Sequence, residues 1–208
     1  MGKQYAIVHD LYRCMGCHAC SMACKAENNV PNGIWWNRVL TDGGPGPNTS
    51  GGTTEAPYRN FYVMQCQHCE NPACTRVCPV GATFKDPETG VVRQDYDRCI
   101  GCRMCMAACP YTGVRSFNWA KPAYVADVAF GDAEVPEHQK HTVEKCTMCW
   151  HRIARGEEPA CVAACVAYAR WFGDVNDPNS EVSRLLATRE YKTLLPEKGT
   201  KPNVYYLV

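Results

Sequence analysis

The sixteen cysteines of this 208-residue chain fall into four groups of four, and this grouping constrains the fold more than any other feature. The first and third groups share the spacing C-x2-C-x2-C-x3-C, the second is C-x2-C-x4-C-x3-C and the fourth is C-x2-C-x11-C-x3-C. The groups are Cys14, Cys17, Cys20, Cys24; Cys66, Cys69, Cys74, Cys78; Cys99, Cys102, Cys105, Cys109; and Cys146, Cys149, Cys161, Cys165. No cysteine is left over, so the chain repeats a short metal-binding unit rather than a solenoid period.

The spacing of the first and third groups is typical of ligands to [4Fe–4S] clusters. A C-x2-C-x2-C loop curls so that three thiolates point at one cluster, and the fourth cysteine, about one helical turn further on, faces elsewhere. In two-cluster ferredoxins this last cysteine binds the other cluster. The sequence therefore predicts an iron–sulfur protein with four [4Fe–4S] clusters on its sixteen cysteines.

Two other uses of cysteine have to be weighed against clusters. Zinc takes four ligands, usually as two spaced pairs, and the fourth group taken alone fits such a site. The even cysteine count also allows disulfides. Cysteines three residues apart on a tight loop are poorly placed to bridge each other, however, and a third cysteine two residues further on has no use in a zinc site.

Composition and motifs exclude several function classes. The net charge is +1, which gives no electrostatic case for binding nucleic acid or an anionic membrane. No run of about 18 apolar residues is present, so we expect no membrane span. The first ten residues contain neither an apolar core nor a twin-arginine pair, which predicts no export signal. Dinucleotide, P-loop and nucleophile-elbow motifs are absent, which favours electron transfer over conversion of a substrate.

The histidines give a weaker signal. His18 and His68 lie inside cysteine motifs, and a Rieske centre replaces two cysteines by two histidines. Every motif here already has four cysteines, so we interpret both residues as lying at the surface or around the ligands. His138, His141 and His151 are scattered along the chain, and we expect them to be solvated.

The regular structure is expected to be short and to repeat as strand, cysteine motif and short helix. Residues 42–52 are rich in Gly, Pro and Ser and predict a surface loop, and residues 86–90 predict a turn. A start signal at residues 177–180 predicts a helix. The predicted elements are strands over residues 5–9, 61–64, 91–93 and 203–208 and a helix over residues 180–188.

With these four cysteine groups, the sequence resembles a known family, the four-cluster iron–sulfur subunits of the dimethyl sulfoxide reductase and polysulfide reductase family. These subunits are the electron-transfer partners of molybdenum or tungsten bis-pterin enzymes. The similarity covers nearly the whole chain. The segments that carry it are residues 20–25, 66–74, 77–79, 99–103, 108–111, 145–149 and 158–161.

The resemblance implies how the ligands are shared, because groups one and four exchange their last cysteine in this family, and so do groups two and three. One departure is that Val166 follows Cys165, where many relatives have Pro. The implied ligand sets are Cys14, Cys17, Cys20 and Cys165; Cys146, Cys149, Cys161 and Cys24; Cys66, Cys69, Cys74 and Cys109; and Cys99, Cys102, Cys105 and Cys78.

The resemblance also implies an α+β fold of two nested ferredoxin-like units with the clusters in a row. The outer unit would comprise residues 1–30 and 140–175, and the inner unit residues 58–118. Residues 31–57 and 111–145 would be insertions, and residues 176–208 a C-terminal helix and strand extension.

The function implied is relay of single electrons to or from a molybdenum or tungsten bis-pterin catalytic subunit of a respiratory-type oxidoreductase, with a quinone-linked membrane anchor as a further partner. The bis-pterin cofactor is expected in the partner and not in this chain. A free-standing polyferredoxin is the alternative, and a zinc-bound structural protein is a third. The complex is expected at the outer, periplasmic face of the membrane after export with a signal-bearing partner, with a cytoplasmic location as the alternative.

Overall fold

Cysteine-bearing loops interrupt the chain at short intervals, so its strands and helices are short. The computed structural model describes residues 2–43, 48–126, 128 and 130–208. Part of the predicted loop at 42–52, two positions of the predicted insertion at 111–145 and the first residue of the predicted outer unit lie outside these ranges. The strands are β1 Tyr5–Asp10, β2 Asn37–Thr41, β3 Gly51–Gly52, β4 Pro57–Tyr58, β5 Phe61–Gln65, β6 Thr83–Lys85, β7 Val92–Gln94, β8 Arg115–Phe117, β9 Val143–Lys145, β10 Arg170–Asp174, β11 Tyr191–Lys192 and β12 Val204–Leu207.

The helices follow the cysteine motifs or close the C-terminal region. All but two have five residues or fewer, so their stability comes from packing and not from propensity. They are α1 Ala19–Glu27, α2 Ala73–Arg76, α3 Met104–Ala107, α4 Trp150–Ala154, α5 Ala160–Ala163 and α6 Glu181–Thr188, with a short 3-10 turn at Pro196–Lys198.

Strand β1 lies inside a four-stranded sheet of order β10-β1-β12-β11. It pairs antiparallel with β10 and parallel with β12. Alternate side chains of a strand point to opposite faces. Ala6 and Val8 therefore pack against α6 through Val182, whereas Ile7 packs against Cys20 and Cys161 on the other face. The sheet thus separates the C-terminal helix from the cysteine-bearing core.

The remaining strands form antiparallel pairs: β2 with β5, β3 with β4, β6 with β7 and β8 with β9. The predicted turn at 86–90 connects β6 and β7, and Asp86 Oδ1 accepts hydrogen bonds from the N–H groups of Glu88 and Thr89. Because β8 and β9 pair, the two ends of the predicted insertion at 111–145 are held together at the base of a long hairpin.

The predicted helix near residue 180 and the predicted terminal strand are confirmed. Ser180 caps α6, and its Oγ accepts a hydrogen bond from Ser183 N at 3.1 Å. Strand β12 pairs with both β1 and β11. Together with the short strand pairs, these elements confirm the predicted α+β class. None of the described helices has the length and apolar character needed to cross a bilayer.

Candidate metal centres

The four C-x-x-C loops share one backbone feature. The residue before the second cysteine has a positive φ in every loop: +71° at Gly16, +42° at His68, +69° at Gly101 and +58° at Met148. Glycine adopts this left-handed conformation without cost, whereas residues with a Cβ do so rarely. The four loops therefore share one tight backbone conformation. In the sequence, only the two glycines indicate this conformation.

Neighbouring atoms also leave no room for a Cβ atom at the two glycines. A Cβ on Gly101 would lie 2.4 Å from the backbone oxygen of His141, and one on Gly16 would lie 2.4 Å from the ring of Phe61. A backbone carbonyl cannot move aside as a flexible side chain can. The loop of the third group is therefore fixed against the chain at His141.

We call the first cysteine-lined cavity site 1. Val39 and Val63 contribute apolar walls to it. The backbone N–H of Ala169 donates to Cys165 Sγ at 3.3 Å. Cys17 is exposed, which brings one edge of site 1 to the surface. The cysteines lining site 1 are Cys14, Cys17, Cys20 and Cys165.

Site 2 is a cavity with Trp36 in its wall. All four of its cysteines are buried. Asn28 Nδ2 lies 3.8 Å from Cys24 Sγ and 3.7 Å from Cys149 Sγ, and Met148 N donates to Cys146 Sγ at 3.3 Å. The side chain of Asn28 thus joins sulfurs from the first and fourth groups. The cysteines lining site 2 are Cys24, Cys146, Cys149 and Cys161.

Site 3 brings together cysteines of the second and third groups. Burial, together with smaller contributions from the neighbouring sulfurs of Cys66, Cys74 and Cys109, raises the pKa of Cys69 to about 12. Burial likewise raises the pKa of Cys109 to about 11, again with contributions from Cys66 and Cys74. The four sulfurs of site 3 therefore interact with one another electrostatically.

Site 4 is a cavity with Val80, Ala82 and Val143 in its walls. Burial raises the pKa of Cys78, but hydrogen bonds from backbone N–H groups, including that of Thr83 at 3.4 Å, outweigh burial and leave this pKa below its ordinary value. Cys102 is exposed. The cysteines lining site 4 are Cys78, Cys99, Cys102 and Cys105.

The chemistry of these donor sets fits iron–sulfur clusters. Burial raises the pKa of Cys149 to about 12, and that of Cys24 and Cys146 also rises, so the thiols of site 2 do not ionise without a cation beside them. Metal binding removes this penalty because the metal ion replaces the proton. The sixteen cysteines are all free, which argues against the disulfide alternative.

Two of the three histidines expected to be solvated are buried, so that prediction was wrong for them. His138 Nδ1 lies 2.7 Å from Glu144 Oε1, and His138 Nε2 lies 2.9 Å from the backbone oxygen of Asn28. His151 is fully buried against Glu27. The sequence gives no sign of the contacts with Asn28 and Glu27, because these two residues lie more than a hundred positions from the histidines along the chain.

Three further histidines also divide into exposed and buried residues. His141 is exposed, as predicted. His18 is exposed, whereas His68 is fully buried and its Nδ1 accepts a hydrogen bond from Val92 N at 3.2 Å. His68 therefore belongs to the packing around the cysteine loops.

Comparison with known proteins gives concordant results. The family described as "4Fe-4S dicluster domain" matches residues 58–126 and 132–175. A protein assigned as a dimethyl sulfoxide reductase iron–sulfur subunit in Halobacterium salinarum is 49% identical over 98% of this chain and 78% of its own length. The arsenate respiratory reductase iron–sulfur subunit of a Shewanella species is 39% identical over 97% of this chain and 94% of its own length. A polysulfide reductase polypeptide of Wolinella succinogenes is 36% identical over 99% of this chain and 94% of its own length.

The α+β framework and its four cysteine-lined sites define an iron–sulfur protein of the ferredoxin type that carries four [4Fe–4S] clusters and transfers electrons. The chain belongs to the iron–sulfur subunit family of the dimethyl sulfoxide reductase and polysulfide reductase type, as its resemblance predicted.

Proposed function

We propose that this chain relays single electrons through four [4Fe–4S] clusters to or from a molybdenum or tungsten bis-pterin catalytic subunit of a respiratory oxidoreductase. The observation that carries the proposal is that three separate cavities are each lined by four cysteines from two different motifs. Relatives that are iron–sulfur subunits of reductases match nearly the whole chain, which supports the same role here.

The ligand sets follow the four sites. Cys165 completes site 1, Cys24 completes site 2, Cys109 completes site 3 and Cys78 completes site 4. Each site would hold one cluster, and when bound the clusters supply reversible one-electron redox chemistry. The protein's own contribution is to exclude water with apolar walls and to direct N–H groups at the sulfurs, which stabilises their negative charge.

The order of the sites along the row is 1, 2, 3, 4. Support comes from groups of buried apolar residues that pack between neighbouring sites. Cys20 of site 1 and Cys161 of site 2 pack in one such group. Cys24 and Cys146 of site 2 pack with Cys66 of site 3 in a second group, and Cys74 of site 3 packs with Cys105 of site 4 in a third.

The two ends of this row are where electrons enter and leave. Cys17 of site 1 and Cys102 of site 4 are the exposed cysteines of the chain, whereas site 2 is buried throughout. Apolar side chains are exposed beside both ends, with Met15 61% exposed at site 1 and Ile100 63% exposed at site 4. Such surfaces suit docking of redox partners.

The nested arrangement of two ferredoxin-like units is supported by strand pairing. β2 and β5 form a hairpin where the chain passes from residues 1–30 to residues 58–118, and β8 and β9 pair where it returns to residues 140–175. β1 and β10 close the outer unit, and residues 176–208 add α6 and two strands to that sheet.

The partners proposed are a molybdenum- or tungsten-containing catalytic subunit at one end of the row and a quinone-linked membrane anchor at the other. The assembly is a membrane-associated respiratory complex, and we place it at the periplasmic face, reached by export with a signal-bearing partner.

Purification of the native, oxygen-protected complex through a tag on this chain tests the partner assignment. We expect a catalytic subunit to co-purify with molybdenum or tungsten at about one atom per chain. Iron-loaded chain recovered alone, with neither heavy metal, would contradict the assignment in favour of a free polyferredoxin.

Charged substitutions at the two row ends test the electron path. Met15→Lys should slow electron exchange with one partner and Ile100→Lys exchange with the other, because each introduces a cation into an apolar surface. Val125→Lys, at a position 88% exposed, is the control. Loss of exchange with the same partner in both variants would contradict a row with two ends.

A further inference from the structure

Two buried arginines lie among the cysteine sites. Arg115 begins β8, six residues after Cys109, and Arg170 begins β10, five residues after Cys165. Each is only 5% exposed. The two arginines thus occupy equivalent places after the last cysteines of the third and fourth groups.

Arg170 lies between sites 1 and 2. It lines the cavity of site 1, and its Nη2 donates to Gln65 Oε1 at 2.7 Å. Gln65 in turn lines the cavity of site 2. The charge of Arg170 acts on Cys20 of site 1 and on Cys161 of site 2. Its Nε and Nη1 have no hydrogen-bond partner.

Arg115 occupies the corresponding place between sites 3 and 4. Its Nη1 donates to Gln94 Oε1 at 3.4 Å, and Gln94 lines the cavity of site 4. Its charge acts on Cys74 of site 3 and Cys105 of site 4. Its Nη2 has no hydrogen-bond partner. A glutamine therefore holds each guanidinium without neutralising it.

No carboxylate among the described residues forms an ion pair with either arginine. An unpaired buried charge is costly, so a nearby negative charge has to compensate for it. Lys145 is also buried but differs, because its ammonium donates to the backbone oxygens of Val92 and Cys146. The charges that act most strongly on the two guanidiniums are those of cysteine sulfurs, with Tyr206 as a further group beside Arg170.

We propose that the charges of Arg115 and Arg170 favour reduction of the electron relay: Arg170 stabilises the reduced forms of sites 1 and 2, and Arg115 stabilises those of sites 3 and 4. This inference rests on the proposed ligand sets. One-electron reduction adds one negative charge to a site, the electron coming from the docked redox partner. A guanidinium stays protonated throughout, so it takes up no proton in this step.

Redox titration of the loaded complex, monitored by electron paramagnetic resonance, tests the assignment. Arg170→Gln should lower the equilibrium constant for one-electron reduction of two clusters by at least tenfold, which corresponds to a fall of about 59 mV in reduction potential, and should leave the other two clusters unchanged. Arg115→Gln should lower the reduction potentials of the other two clusters. Arg155→Gln, which removes an arginine paired with Asp132 and Glu134 at the surface, is the control.

Two further variants separate charge from packing. Arg170→Lys keeps the charge and should restore most of the lost potential. Gln65→Glu keeps the shape of the site but pairs Arg170 with a carboxylate, so it should lower the same two potentials as Arg170→Gln. Equal shifts of all four clusters, unchanged potentials in Gln65→Glu, or a Lys variant as impaired as the Gln variant would overturn the proposal.

The iron content of each variant separates failure of this inference from failure of the proposed function. About sixteen iron atoms per chain with unaltered potentials would overturn the role of the arginines alone. A wild-type protein without four clusters would overturn the ligand sets on which that role depends.

Discussion

At the scale of single residues, Asn28 contacts two cysteine sulfurs although it belongs to no motif. Its Nδ2 donates to the backbone oxygen of Cys24 and faces the sulfurs of Cys24 and Cys149. Hydrogen bonds to ligand sulfurs raise cluster potentials because they stabilise the reduced form.

We therefore predict that Asn28→Ala lowers the potential of the cluster in site 2, and that Asn28→Asp, which replaces the donor with an acceptor of the same shape, lowers it further. Redox titration of the purified complex measures both shifts. Asn176→Ala, which removes an exposed donor to the backbone oxygen of Gly2, is the control. A potential of the Asn28→Asp variant equal to that of wild type would contradict the role of this amide.

Asp10 connects β1 to the first cysteine loop. Its Oδ1 accepts from the N–H groups of Tyr12 and Arg13, and Arg189 Nη1 donates to its Oδ2 at 2.7 Å. Burial raises the pKa of Asp10, but these hydrogen bonds outweigh burial and leave the pKa below its ordinary value. A carboxyl with a lowered pKa in the folded state stabilises the fold above its unfolded pKa, and that stability is lost only as pH falls through the folded pKa.

Asp10→Asn should therefore lower the free energy of unfolding by about 1–3 kcal/mol, equally at about pH 6 and about pH 8. Thermal unfolding, monitored by the optical absorption of the clusters, measures this change in the free energy of unfolding. Asp95→Asn is the matched control, since Asp95 makes the same turn before Cys99 but pairs with an exposed Arg98. The control should cost less, because exposed ion pairs contribute little. A penalty for Asp10→Asn that is clearly smaller at the lower pH would contradict the assignment.

At the scale of local elements, the C-x-x-C loop of the third group depends on Gly101. An added Cβ would collide with the backbone at His141. Gly101→Ala should therefore reduce the iron content from about sixteen to about twelve atoms per chain by loss of the cluster in site 4. Gly156→Ala tests the positive φ alone, since a Cβ there meets no atom within 4 Å. Full iron loading of the Gly101→Ala variant would contradict the prediction that a Cβ at this position prevents cluster binding in site 4.

The cap of α6 concerns the fold and not the clusters. Ser180 Oγ accepts from Ser183 N, and α6 packs through Val182 on the face of the sheet opposite the cysteines. Ser180→Ala should destabilise the protein by about 1 kcal/mol without changing iron content or potentials. Ser180→Thr keeps the hydroxyl and should be close to wild type in thermal unfolding. Loss of a cluster in Ser180→Ala would show that the helix supports the sites directly.

The elements show what the sequence could predict. β1, β5, the turn at 86–90 and α6 were predicted because β-prone runs, turn residues and a capping signal act over a few neighbouring residues. The left-handed residues His68 and Met148 gave no such signal, since only glycine marks that conformation in a sequence. The pairing of β8 with β9 depends on residues about thirty positions apart and was not predicted.

At the scale of the whole molecule, cysteine spacing predicts clusters, and the family resemblance implies the proposed sharing of ligands between groups. The surroundings of the sites could not be read from the sequence. Arg170 and Gln65 lie 105 residues apart in the chain, and His138 and Asn28 lie 110 apart. Such contacts arise only when segments that are distant in the sequence come together in the folded chain.

The measurement that tests the central claim most directly is the iron and zinc content of the natively purified, oxygen-protected chain, with Mössbauer spectroscopy of the iron. Four occupied sites predict about sixteen iron atoms per chain, all in [4Fe–4S] form, and no stoichiometric zinc. Zinc in place of iron at any of the four sites, or iron that is not in cubane clusters, would contradict the account.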